Sequence, residues 1–468
     1  MGTFWIENFG CRATQADAAA IEHQLAALGF RPVQAGQAEL VVVNTCTVTA
    51  AADAQAREAI RAIHARNPGA RILATGCYAQ RVPEELAALP GVAWVVGNSH
   101  QQEIGALLAA APGAEDFVPL AALAAPGRSA LPYRRAPKIL TGDIFAAAEL
   151  AASPVTGAGG DRTRPVLKIQ DGCNHRCSYC VIPAVRGRSR SLSAAEVVDQ
   201  VRQIAAAGAQ EVVLSGINLG AWGRDLAPRA SFRDLLVRIL DETPIERLRL
   251  SSIEPMDVTR DLAELAAHSP RLAPHFHVPL QSGSDQVLAA MHRWYRAAHY
   301  AERVLLLAEA LPHAAIGADV ICGFPGEREA DHRATLDLLE RLPFSYLHVF
   351  SYSSRPGTAA AGLAGAVPAG VVRQRAREVR ALALRKAELY RAGQQGSHHR
   401  LLTLGRSGET SSGRPWTAAL TGNYLHVRLE GRWPRNSWVE ARLEAPAPGE
   451  TRAELWARSC GNSSTAPA

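Results

Sequence analysis

Three cysteines, Cys173, Cys177 and Cys180, stand in the spacing C-x3-C-x2-C within LKIQDGCNHRCSYCVIP (167–183). The apolar run Val166 to Ile169 reads as a buried strand, and Asp171-Gly172 breaks it. The cysteines therefore sit on a loop after a strand end. Three thiolates from one short loop can hold three irons of a cubic [4Fe-4S] cluster, whereas electron-transfer clusters of the ferredoxin type take four. A missing fourth ligand leaves one iron open and points to chemistry at that iron. Two other readings of the spacing are a zinc site, with His175 as a fourth ligand, and a disulfide loop.

The elements that must position such a loop are legible on either side of it. Residues 1–112 alternate strands (Phe4–Phe9, Leu40–Asn44, Arg71–Thr75, Ala93–Val96) with helical patterns around Gln15–Leu28 and Ala52–Ala65. This predicts a parallel sheet with helices on both faces. Cys11, Cys46 and Cys77 each fall just past one strand end, in FGC, NTC and TGC. The ligand crevice of an open parallel sheet lies outside the carboxyl ends of its strands. Three loops there would bring three thiols together as a second metal site; three buried cysteines packed as small hydrophobes are the alternative.

Residues 113–160, rich in Ala, Pro and Gly, read as a linker with a short helical run near Ile144 to Ala152. From 161 to 392 the β/α alternation resumes. Strands are expected at Pro165–Ile169, Glu211–Leu214, Arg247–Ser251, His275–Pro279, Ala315–Ile321 and Tyr346–Ser351. About six such units make a partial (β/α)6 barrel with its active edge at the strand C-termini. Residues 371–391 form a long basic helix. Short β segments over 393–456 predict a small β-barrel, and 457–468 a flexible tail. The fold class is thus α/β with a terminal β module.

Composition sets the outer limits. At 468 residues, length suggests about three domains. A net charge of +6 permits an anionic partner. Signal-peptide regions and an apolar run of about 18 residues are not expected, so neither is a membrane span. Eight cysteines scattered over so long a chain argue for metal or catalysis over structural disulfides.

The cysteine loop resembles the signature of the radical S-adenosylmethionine (SAM) enzymes, and the aromatic Tyr179 before the last cysteine agrees. With NTCTVT (44–49) and TGCYAQ (75–80), the whole resembles the methylthiotransferases within that superfamily. The resemblance implies two [4Fe-4S] clusters, one on Cys173, Cys177 and Cys180 and an auxiliary one on Cys11, Cys46 and Cys77. It implies reductive cleavage of SAM to a 5′-deoxyadenosyl radical, and delivery of a methylthio group to an unreactive C–H carbon. It implies a cytoplasmic enzyme, an electron donor such as flavodoxin or ferredoxin, a sulfur source, and a C-terminal TRAM-like barrel that binds RNA.

Among the branches, the motifs are most similar to the one acting on N6-threonylcarbamoyladenosine beside the tRNA anticodon. The RATQ after Cys11 departs from the Val-Asn-Gln usual there. Isopentenyladenosine in tRNA and a ribosomal-protein residue are the alternatives within the family. A non-enzymatic iron–sulfur or zinc protein that binds RNA is the alternative outside it.

SAM contacts are then expected at the strand ends: Gly216 in SGINLGAWG, Glu254 in SSIEP, Gln281 in HVPLQSGS and Gly323 in ICGFPGE, besides Tyr179. Arg293 in MHRWY is a candidate for the SAM carboxylate or a substrate phosphate. Cys322 reads as a core residue. Arg186, Arg188 and Arg190 would lie on one side of an extended segment and meet RNA phosphates. On the terminal barrel, Arg406, Arg414, Arg428, Arg432 and Arg435 would meet phosphates, with Trp416, Tyr424 and Trp433 as stacking surfaces.

Overall fold

The computed structural model describes residues 2–109, 138–147, 150, 163–410, 412–446 and 455–460. They fall into two compact units: Met1–Ser153 with Val181–Gly187, and Pro154–Cys180 with Arg188–Ala468.

In the first unit, strands β1 (Thr3–Asn8), β2 (Arg31–Pro32), β3 (Leu40–Thr45), β4 (Arg71–Gly76), β5 (Val92–Gly97) and β6 (Lys138–Leu140) form one parallel sheet, in the order β2-β1-β3-β4-β5-β6. Every residue of β3 is buried, as the uninterrupted LVVVNT predicts for a strand covered on both faces. Alternate residues go to opposite sides. Val41, Val43, Ile72 and Ala74 pack with Ile60 and Tyr78 on one face. Leu40, Val42 and Leu73 pack with Ile21 and Leu25 on the other. Thr49 starts the helix Ala50–Arg66 by accepting a hydrogen bond from the Ala52 N–H.

The expected linker thus contributes an edge strand, β6, and at Ile144–Ala146 only a single 3-10 turn, capped by Asp143. The rest of that linker lies outside the described residues (113–137, 148–149 and 151–160), but for 141–143, Ala147 and 150.

In the second unit, β7 (Val166–Asp171), β9 (Glu211–Gly216) and β10 (Arg247–Leu250) are parallel, with the short β8 (Arg190–Ser191) antiparallel on the free edge of β7. Strands β11 (His275–His277), β12 (Ala315–Cys322) and β13 (Tyr346–Ser351) form a second parallel set. Parallel bridges Leu248–Leu272 and Ser252–His277 join the two sets. The result is the predicted partial barrel of six parallel strands, open between β7 and β13.

Strands β14 (His398–Glu409), β15 (Pro415–Leu420), β16 (His426–Glu430), β17 (Trp438–Glu444) and β18 (Leu455–Ser459) close the terminal barrel around Leu401, Val427, Leu429 and Leu443. Strand β18 crosses the expected barrel–tail boundary, and the tail beyond 460 lies outside the described residues.

Buried charge ties this barrel to the core. Glu211 accepts from Arg249 at 2.7 Å and Arg247 at 3.3 Å. The two guanidiniums also donate to the barrel carbonyls of Arg400, Thr421 and Gly422. Burial pushes the Glu211 carboxyl up, but its arginine partners outweigh that and hold it below the usual range.

Candidate active site

Parallel register sets the three N-terminal cysteines along one sheet edge. Asn8 lies opposite Asn44, Asn44 opposite Thr75, and Thr45 opposite Gly76, so β1, β3 and β4 end level. Cys11, Cys46 and Cys77 follow those ends. The short β2 intervenes in sequence without supplying a cysteine. The loops are braced from below. The Asn44 amide donates to Asn8 Oδ1 at 2.9 Å and to the Thr14 carbonyl at 2.8 Å, and Thr14 Oγ1 donates to the Cys11 carbonyl at 2.7 Å. Gly10, at φ +118°, lies so close that a Cβ there would stand 2.8 Å from Cys46 Cβ.

All three cysteines are free, Cys46 and Cys77 buried. Burial, then the neighbouring Cys77, pushes the Cys46 thiol up to about 12. Burial likewise raises Cys77, where Arg186 pulls the other way. Cys46 feels both Cys77 and Cys11, and Cys77 feels Cys11, so the three lie near one another. A cationic group bound by three thiolates would relieve that desolvation, and the residues fit such a group.

Arg186 corrects an expectation. It ends the short helix Ile182–Arg186 instead of lying on an extended segment, and it is 1% exposed. Its guanidinium donates to Asp17 at 2.7 Å. A side chain so enclosed does not reach an RNA phosphate. Arg188 is exposed and Arg190 half-buried at the start of β8.

The second trio lies on the loop after β7. Gln170, fully buried, organises it. Its amide donates to the carbonyls of Asp171 (3.0 Å) and Gly172 (2.8 Å), and its Oε1 accepts from the Asn218 N–H at 2.8 Å. Gly172 turns the chain at φ +70°. Ser178 anchors the far side, its N–H donating to the Met291 carbonyl at 3.0 Å and its hydroxyl to the Ala290 carbonyl at 2.7 Å. Burial pushes the Cys173 thiol up to about 11, against a hydrogen bond from the His175 N–H at 3.4 Å.

None of the three cysteines of this loop is in a disulfide. Thiolates on a single zinc would stand about 3.8 Å apart. Among the described residues, the metal-ligand atoms that converge within 4.8 Å are those of His277, Asp319 and His348, not those of either cysteine trio. His175 faces Trp294 (ring centroids 4.9 Å) and lies 3.5 Å from the Asn218 amide.

Arg293 joins several expected residues. Its guanidinium donates to Cys177 Sγ at 3.2 Å, to Tyr295 Oη at 3.1 Å and to the Glu254 carboxylate. Burial pulls its pKa down, but Tyr295, Glu254, Tyr179 and Cys177 outweigh that and hold it charged. With its side chain 3% exposed, it contacts the cysteine loop and is closed to a substrate phosphate, contrary to that expectation. Tyr179 packs with Ile321 and Tyr352 on Val287, Met291 and Phe324.

The remaining predicted contacts have local structural causes. A Cβ on Gly216 would stand 2.9 Å from Gln170 Oε1. Gln281, at φ +70°, is held by backbone bonds to Asp319 and Ile321. Gly323, at φ +81°, donates its N–H to Glu327 Oε2 at 2.7 Å and lies against Val372. Cys322 is buried, its thiol pushed up to about 12 by burial, as expected of a core residue.

On the terminal barrel, stacking is largely internal. Tyr424 stacks on His275 (4.3 Å) with Arg249 over its other neighbourhood (5.2 Å), and Trp416 is 8% exposed beneath Arg428 (5.0 Å) and Arg406 (5.3 Å). These rings are not open platforms for bases. Arg414 and Arg432 pair with Glu430 and Glu409. The exposed aromatic near the cysteine loop is Trp294. Gln170, Ser178 and Glu327 were not anticipated; a buried glutamine inside an apolar strand was the one signal available.

Comparison with known proteins accords with this geometry. Residues 3–97 match the model of the uncharacterized protein family UPF0004, and 167–339 that of the Radical SAM superfamily. The chain is 36% identical over 426 residues to the threonylcarbamoyladenosine tRNA methylthiotransferase MtaB of Aquifex aeolicus, covering 91% of this chain and 96% of that one. With the MtaB of Bacillus subtilis it is 33% identical, covering 92% and 91%.

The chain belongs to the radical SAM methylthiotransferases.

A second group of this methylthiotransferase's relatives bears another name. The tRNA-2-methylthio-N(6)-dimethylallyladenosine synthase of Syntrophobacter fumaroxidans is 36% identical, covering 80% of this chain and 78% of that one. Among solved structures, the radical SAM methyltransferase TsrM of Kitasatospora setae superimposes with a TM-score of 0.52 at 17% identity, over 76% of each chain. That likeness concerns the fold alone. As a family member the chain is an enzyme that uses an iron–sulfur cluster and SAM. No helix among the described residues is long and apolar enough to cross a membrane.

Proposed function

We propose that this enzyme inserts a methylthio group at C2 of N6-threonylcarbamoyladenosine next to the anticodon of tRNA, in the cytoplasm. The observation that carries the reading is the pairing of two three-cysteine sets, each placed at strand ends, with relatives of that name over more than nine-tenths of both lengths. In this reading Cys173, Cys177 and Cys180 ligate the SAM-binding cluster, and Cys11, Cys46 and Cys77 an auxiliary one. When bound, the first group would pass on the electron that cleaves SAM and the second would carry the sulfur to be transferred.

The chain's own residues do the positioning. Arg293 places a fixed cation beside Cys177 Sγ and Glu254. Gln170 orients the loop backbone, and Tyr179 excludes water from one flank with Phe324 and Met291. Glu254, Gln281, Gly216 and Gly323 are the SAM contacts in this reading, with Arg188, Arg190 and Arg428 meeting tRNA phosphates. An auxiliary-cluster domain over 1–112, a core over 161–392 and an RNA-binding barrel from 393 to the end of β18 follow. A flavodoxin or ferredoxin supplies electrons, and a separate donor the sulfur.

The relatives named as dimethylallyladenosine synthases support a second reading, in which the isopentenyl-type adenosine is the substrate. Mass spectrometry of tRNA nucleosides from a deletion strain separates the two. The proposal expects loss of 2-methylthio-N6-threonylcarbamoyladenosine, restored by wild type but not by Cys46→Ala or Cys177→Ala. Loss of the methylthio-isopentenyl nucleoside instead supports the second reading.

A further inference from the structure

Away from both cysteine trios, three potential metal ligands converge on adjacent strands of the partial barrel. His277 ends β11, Asp319 lies in β12 and His348 in β13, three adjacent parallel strands. In the ladder Asp319 stands directly opposite His348, and His277 opposite Gly317, two residues earlier on the same face as Asp319. The ligand atoms of the three all lie within 4.8 Å of one another. His277 Nε2 is 3.0 Å, and His348 Nδ1 3.2 Å, from the same oxygen, Asp319 Oδ1. Neighbouring ligands on a tetrahedral zinc stand about 3.3 Å apart, so two edges of a coordination sphere are already in place.

The support behind these ligands is built. Gly317 has no Cβ, and the Tyr346 ring fills that space; a Cβ there would stand 2.0 Å from the ring. The Tyr346 hydroxyl is thereby held 3.1 Å from His277 Nδ1 and 2.9 Å from His275 Nε2. An outer partner on the second ring nitrogen is what fixes a metal-ligating histidine's tautomer and orientation. The trio is also reachable: His277 is buried, Asp319 partly covered and His348 exposed.

We propose that His277, Asp319 and His348 bind one divalent transition-metal ion of the zinc class. Two imidazoles and one carboxylate suit Zn²⁺, Fe²⁺ or Co²⁺ better than the oxygen-seeking Mg²⁺ or Ca²⁺. Three protein ligands leave a coordination position for water or a substrate oxygen. His348, the exposed member of the trio, lies beside that position. The inference is independent of which adenosine is the substrate.

The test uses the full-length enzyme with its iron centres loaded, dialysed against Zn²⁺ and analysed for zinc and iron together. One zinc per chain is expected in addition to the iron. Asp319→Asn and His348→Gln should each weaken zinc binding at least about tenfold with iron content unchanged. The exposed His348 makes the second variant one that folds, which its far-UV circular dichroism checks. Titration with Co²⁺ should give ligand-field absorption without a sulfur-to-cobalt charge-transfer band. Zinc uptake equal in wild type and both variants, no uptake at all, or a sulfur charge-transfer band would each overturn the site. The five groups would then be a hydrogen-bonded chain only.

Discussion

At the scale of single residues, charge means different things two positions apart. Arg186 and Asp17 are both enclosed, with side-chain exposures of 2% and 0%. Removing one partner of such a pair strands the other, at about 3–5 kcal/mol. Arg186→Met should therefore lower the urea midpoint of the protein markedly. Arg188 is exposed, and Arg188→Ala should change stability by about 0.5 kcal/mol or less. In tRNA-binding titrations at several salt concentrations, Arg188→Ala should reduce the salt slope by about 1. A stable Arg186→Met protein with weakened tRNA binding would falsify the buried-pair account. Arg293 belongs with Arg186: its guanidinium is committed to Cys177, Tyr295 and Glu254.

At the scale of elements, strand ends do the positioning, and glycine makes the turns possible. Gly76, the last residue of β4 and the one before Cys77, has φ +96°. A Cβ there would stand 2.4 Å from the Thr45 carbonyl oxygen and 2.7 Å from the Thr45 nitrogen, both backbone atoms of β3. Neither can move without disturbing Cys46, the next residue. The conformation alone costs about 1–3 kcal/mol for a residue with a side chain, and the contact adds to it. Gly76→Ala should displace Cys77 while leaving the loop after β7 intact. Iron analysis after reconstitution should show the Cys11, Cys46 and Cys77 centre lost and the other retained; full iron occupancy would contradict this. The loop after β7 depends on an element-level device of another kind, the Gln170 side chain that holds its backbone and that of Asn218 together.

At the scale of the whole molecule, the partial barrel and the terminal barrel share buried charge. Glu211 is fully enclosed, with Arg249, Arg247 and Arg164 around it at 2.7, 3.3 and 3.7 Å. Arg247 and Arg249 continue into the terminal barrel's carbonyls, and Trp438 lies under both Arg247 (4.4 Å) and Arg400 (4.2 Å). Glu211→Gln leaves these arginines without their counter-ion, at about 3–5 kcal/mol. Calorimetry should show core and terminal barrel unfolding in one transition that shifts down together. A terminal barrel that melts separately and is untouched by Glu211→Gln would show that the shared charge does not couple them.

The sequence by itself determined whatever rests on short-range chemistry. The C-x3-C-x2-C spacing, the break at Asp171-Gly172, the buried Val41–Val43 run and the β/α alternation are local patterns. Backbone geometry converts each directly into a loop, a strand or a layer. The placing of Cys11, Cys46 and Cys77 at strand ends was legible for the same reason. Tertiary structure alone decided which polar side chains are spent inside the fold. Arg186 meets a carboxylate 169 positions away. Tyr424 stacks on His275 instead of facing a base. Lys138–Leu140 becomes an edge strand of the first sheet only because β5 has a free side to pair with. His277, Asp319 and His348 become neighbours only through strand register. An arginine looks the same in sequence whether solvated or buried. Its role follows from desolvation and from the partner that compensates it, and both are set by the packing of distant segments.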